Sequence, residues 1–95
     1  MNYLNKLGFT KEQIESLENE IAEVMVEALS ENRKLVTANV EYLLDLGVTN
    51  IYEIFRAYYE LFLIDHSNFM DIFNKYDRED LVEKLAKNVA IVEYL

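Results

Sequence analysis

The chain has 95 residues, with 18 acidic side chains against nine basic ones and a net charge of −9. That length allows one domain, residues 1–95, with one modest hydrophobic core. The composition excludes several classes. No apolar run reaches the roughly 18–20 residues that a membrane-spanning helix needs. With no cysteine there is no disulfide framework and no thiolate chemistry. Lys6 is not followed by an apolar stretch and a small-residue cleavage site, so no signal peptide is visible; these features fit a cytoplasmic location. The excess of acid opposes binding to nucleic acid, whose affinity for proteins rests largely on Lys and Arg.

The chain contains no proline and only two glycines, and it shows neither hairpin turns nor sustained alternation. Helix signals occupy nearly all of it. A short first helix over Met1–Leu7 is expected to stop at Gly8. Thr10 with Gln13 forms a capping box. Ile14, Leu17, Ile21, Val24, Met25 and Ala28 then trace the stripe of a second helix running to about Leu29. Ser30 and Asn32 mark the weak point before a third helix, Arg33–Leu46, with Val36, Val40, Leu43 and Leu44 inward. Gly47 supplies the left-handed residue expected just past a helix end. Thr49 or Asn50 opens the fourth helix, and Asn50 with Glu53 fits a second capping box. Ile51, Ile54, Phe55, Tyr58, Leu61 and Phe62 line one side of it.

The run Leu61–Ile64 either extends that helix or makes a tight buried turn. Asp65, Ser67 and Asn68 are cap-type residues before a fifth helix, with Phe69, Ile72, Phe73 and Tyr76 as its stripe. Asp77 with Asp80 opens the last helix, with Leu81, Val82, Leu85 and Val89 inward. The expected architecture is all-α, a single-domain bundle or short helical-repeat array of five to six helices.

Tyr3-Leu-Asn-Lys-Leu-Gly-Phe-Thr10 and Tyr42-Leu-Leu-Asp-Leu-Gly-Val-Thr49 share Tyr, Leu, Leu, Gly and Thr at equivalent positions. This pattern, followed by a helix carrying Ile51, Ile54 and Phe55 and by the apolar turn Leu61–Leu63, resembles the repeats of the mitochondrial transcription termination factor family. The resemblance implies stacked helical repeats and nucleic-acid binding along a basic concave face. The sequence departs from the family in lacking the proline before the apolar turn. The matched residues are structural and bring no binding residues with them. The only basic cluster visible in sequence is Lys75, Arg78, Lys84 and Lys87, and Asp77, Glu79, Asp80 and Glu83 lie among them.

Seven glutamates and no base lie between Glu12 and Glu31. Either this is a solvated face, or it docks a basic protein, with Glu15, Glu20, Glu23 and Glu27 sharing one side of the second helix. Tyr59 lies off the apolar stripe and is a second interface candidate. His66 is the one histidine, beside Asp65, and a lone histidine among scattered carboxylates makes neither a metal constellation nor a triad. No phosphate-cradling glycine loop is present. The sequence therefore reads as a non-catalytic protein-interaction module with no metal or other cofactor and a partner of basic character. The alternatives are an acidic inhibitor that mimics nucleic acid, or the nucleic-acid binding implied by the resemblance.

Overall fold

The computed structural model describes residues 1–95 and is all-α. Six α-helices, α1 (Lys11–Glu20), α2 (Glu23–Glu31), α3 (Arg33–Leu46), α4 (Ile51–Tyr58), α5 (His66–Asn74) and α6 (Arg78–Lys87), alternate with three 3₁₀ helices. The 3₁₀ helices are N-terminal (Asn2–Leu7), central (Tyr59–Leu63) and C-terminal (Val89–Tyr94). No helix is long and apolar enough to cross a membrane.

Most boundaries follow from local chemistry. Thr10 and Gln13 form the reciprocal capping box at α1. The Asp65 and Asp77 carboxylates accept backbone N–H groups at the starts of α5 and α6. The two glycine turns share one geometry. Gly8 and Gly47 have φ of 99° and 100°. Behind them the Phe9 N–H donates to Leu4 O and the Val48 N–H to Leu43 O, at 3.2 and 3.1 Å. Each is a six-residue closure that satisfies orphan carbonyls, and in each the residue after glycine is buried with its partner leucine.

The structure corrects the sequence reading at four places. The expected second helix is two, because Ile21 and Ala22 are extended (ψ 139° and 141°). Ile21 stays buried at the break, while Val24, expected in the stripe, is 69% exposed. The break also ends the single helical side on which Glu15, Glu20, Glu23 and Glu27 were placed. Asn50 does not cap α4 through its side chain; its Nδ2 donates to Leu85 O (2.9 Å), and its Oδ1 has no partner within the protein. Tyr76 is exposed rather than inward. Val89 opens a 3₁₀ helix instead of continuing α6.

α3 is the central element. Val36, Asn39, Val40 and Leu43 are its fully buried residues, and it packs against the N-terminal and central 3₁₀ helices, α2, α4 and α5. All five phenylalanines form one line of rings beside it. Phe9 meets Phe55 edge-on at 5.5 Å, and Phe55–Phe62, Phe62–Phe69 and Phe69–Phe73 follow at 4.9, 5.3 and 5.0 Å. Such pairs contribute about 0.5–1.5 kcal/mol each beyond area burial. Through this line the N-terminal segment, α4, the central 3₁₀ helix and α5 share one core.

Three polar ties close the periphery. The Tyr3 hydroxyl donates to Leu29 O at 2.7 Å, joining the N-terminal 3₁₀ helix to α2. Arg78 donates to Leu46 O (2.8 Å) and to Asp45 O, capping α3 from the start of α6. The Tyr58 hydroxyl donates to Glu93 Oε2 at 2.7 Å and holds the C-terminal 3₁₀ helix on α4.

Two tests follow from these contacts. A Cβ at Gly47 would meet nothing within 4 Å, so any cost of substitution there is backbone strain alone. Gly47→Val is expected to lower unfolding stability by about 1–2 kcal/mol, and Gly47→Asn by clearly less, because asparagine tolerates the left-handed region; denaturant melts measure both. Burial pushes the Tyr3 phenol up to about 12. A phenol with a folded pKa above its unfolded value near 10 gives stability that is intact below pH 10 and lost as pH rises toward 12. Tyr3→Phe should cost about 1 kcal/mol at neutral pH through the lost hydrogen bond. It should also flatten the alkaline fall in stability relative to the parent chain.

Candidate functional site

Where α4 ends, the helix tightens into the central 3₁₀ helix, and this change of pitch sets the position of Tyr58 and Tyr59. Tyr59 is half-buried and packs against the core, whereas its place off the α-helical stripe implied exposure. It stands on a ridge between two shallow grooves of about 440 and 390 Å³, which share Ala57 and Tyr59. Glu20, Ile21, Glu53, Arg56 and Val89 complete the first groove. Tyr58, Glu60, Leu61, Val92 and Glu93 complete the second.

Four carboxylates and one guanidinium therefore surround the ridge. Arg56 Nε donates to Glu20 Oε2 at 2.8 Å, and this hydrogen bond, then the charge of Glu20, raises the Arg56 pKa further. Acceptance by Glu93, then burial, raises that of the Tyr58 phenol. Glu53 and Glu60 are exposed and have no cation within salt-bridge distance. The floor is apolar and the free rim is negative, a combination that favours an apolar anchor flanked by basic groups.

The sequence-derived candidates divide. Glu20 and Tyr59 come together at this ridge. Glu15 lies in another groove of about 410 Å³, with Glu18, Lys11 and Asn5. Glu23 and Glu27 are exposed on α2, unpaired, and line neither Tyr59 groove. The extended residues Ile21 and Ala22 separate Glu15 and Glu20 on α1 from Glu23 and Glu27 on α2.

Of the basic cluster read from sequence, Lys75 is exposed and unpaired, and the other three are committed internally. Lys84 pairs with Asp80 at 3.0 Å and Lys87 with Glu83 at 2.9 Å, both on α6, while Arg78 caps α3. A second basic group became visible only in the fold. Lys6, Arg33 and Lys34 line one groove of about 360 Å³, although 27 and 28 residues separate Lys6 from the other two. Its one signal in sequence is Arg33-Lys34, the only adjacent pair of bases in the chain.

His66, at the start of α5, is engaged with Asn39: its Nδ1 lies 2.7 Å from Asn39 Oδ1. The Ser67 hydroxyl donates to Asp65 within the helix cap. No three His, Asp or Glu side chains are grouped so as to hold a metal ion. Comparison with protein-family models, with curated proteins and with solved structures returns no match.

Proposed function

We propose that this chain is a non-catalytic protein-interaction module that docks a basic segment of a partner protein on the Tyr59 ridge. The observation that carries the reading is the convergence of a half-buried aromatic, an apolar floor and unpaired carboxylates in adjoining grooves. Aromatic anchors in partly desolvated pockets dominate binding energy at interfaces, while charges at the rim act mainly on encounter. Glu53 and Glu60 fit the second role because no internal cation neutralises them. The shallow grooves suit a side chain or two of a partner.

A specific observation keeps a second reading in view. Glu23 and Glu27 stand exposed and unpaired on α2, away from the ridge. Spaced carboxylates of this kind favour an acidic inhibitor that presents them in place of phosphates to a basic nucleic-acid-binding protein.

Affinity capture from the source cell with the parent chain and three variants separates the readings. Tyr59→Ala is expected to weaken partner binding by about tenfold or more. Glu53→Gln with Glu60→Gln should slow association and reduce its salt dependence, with little change in dissociation. Glu23→Gln with Glu27→Gln should leave binding intact. Loss of binding with the α2 pair, and none with Tyr59→Ala, would replace the ridge by the mimic reading.

A further inference from the structure

The start of α3 is electrostatically uncompensated. Arg33 and Lys34 occupy its first two positions, and no acid lies in its first turn. Asn32, the residue placed to cap it, instead donates its Nδ2 to Ala28 O at 2.8 Å. Cations at the positive end of a helix are unfavourable, and here neither a cap nor a carboxylate offsets them. The Tyr3–Leu29 hydrogen bond brings the N-terminal 3₁₀ helix, with Lys6 in its last turn, to the same place.

Lys6, Arg33 and Lys34 thus converge on one groove, with Thr37 contributing a hydroxyl and Glu41 the sole carboxylate. Tyr3, Leu7 and Ala38 give it an apolar wall. None of these three cations forms an ion pair, whereas Arg56, Lys84 and Lys87 each hold a carboxylate at 3.0 Å or closer. Three free cations against one acid is unusual on a chain where acids outnumber bases two to one.

We infer that this groove binds a small phosphomonoester with an apolar or aromatic body. Three bases and Glu41 leave the lining with two formal positive charges, and a phosphomonoester carries about −1.5 to −2 at neutral pH. The guanidinium offers a fork of donors, the two ammonium groups and the hydroxyl further donors, and charge-assisted bonds to phosphate oxygens are the strong ones. A duplex is disfavoured: it carries a charge about every 1.7 Å of its axis, so most of its phosphates would face the acidic remainder of the chain.

The test is an NMR titration of the full chain at physiological salt with phenyl phosphate as probe. Benzenesulfonate, with the same ring and a single charge, is the control. Saturable shifts at Lys6, Arg33, Lys34 and Thr37, with benzenesulfonate binding at least about fivefold more weakly, are expected. Arg33→Glu and Lys34→Glu should each weaken binding about tenfold or more, and Glu41→Gln should strengthen it. The glutamate variants place an acid where the α3 dipole favours one, so folding is not at risk, and thermal melts verify this. Lys6→Ala, at an exposed position, gives an independent loss. The absence of saturable shifts, an equal response to benzenesulfonate, binding unchanged in the Arg33 and Lys34 variants, or tighter binding of duplex DNA at the same residues would each overturn the inference.

Discussion

Asn39 is the buried polar side chain on which the arrangement of the core depends. It has 0% exposure in the middle of α3, among 17 buried apolar residues. Its Nδ2 donates to Phe62 O and Ile64 O at 3.0 and 3.1 Å, and its Oδ1 faces His66 Nδ1 at 2.7 Å. Both amide hydrogens are used on carbonyls, which fixes the orientation of the amide. It follows from the network that His66 Nδ1 carries a proton and donates. Every polar group of the side chain is satisfied, so the cost of burying it is met in full. The two carbonyls it holds belong to the end of the central 3₁₀ helix, where the chain has no helical partner for them.

That clamp fixes the reversal between α4 and α5, and much else follows from its position. Phe62 and Phe69 lie on either side of the reversal, and their rings pass the core from α4 to α5. Tyr42, one turn along α3 from Asn39, meets both His66 and Phe69 edge-on at 6.3 Å. Tyr59 opens the same short 3₁₀ helix and lines both of its adjoining grooves. A fully satisfied buried network rigidifies its surroundings, and an aromatic held on such a segment costs less ordering entropy when a partner binds. The charge pattern adds to this division of surfaces: α6 spends its lysines on its own acids, the ridge keeps free carboxylates, and the α2–α3 junction keeps free bases.

The local signals were legible in the sequence wherever one residue decides a boundary. Thr10, Asp77, Gly8 and Gly47 each act within five residues of their partners, and each does what its chemistry requires. The break at Ile21–Ala22 carried no such sign, since neither glycine nor proline marks it. Asn50 was misread because its partner, Leu85 O, lies 35 residues away. Asn39 did leave a trace. It interrupts the inward series Val36, Val40 and Leu43 with an amide, a polar residue at a core position, but its three partners come from a segment whose form the sequence left open. The candidate site was legible only in part: Glu20 and Tyr59 converge, whereas Glu23 and Glu27 lie beyond the helix break and Glu15, five residues before Glu20 on α1, faces a different groove.

If the Asn39 clamp holds the α4–α5 reversal, its removal must release that segment before the rest of the fold. Amide hydrogen exchange on Asn39→Leu measures this directly. The shape-matched leucine would leave Phe62 O, Ile64 O and the His66 Nδ1–H without partners. Unfolding stability should fall by about 2–4 kcal/mol, at the scale of several unsatisfied buried groups. Protection should be lost first between Tyr59 and His66, ahead of α1 and α6. Stability within about 0.5 kcal/mol of the parent chain, the scatter of ordinary surface substitutions, together with unchanged protection of that segment, would contradict the account.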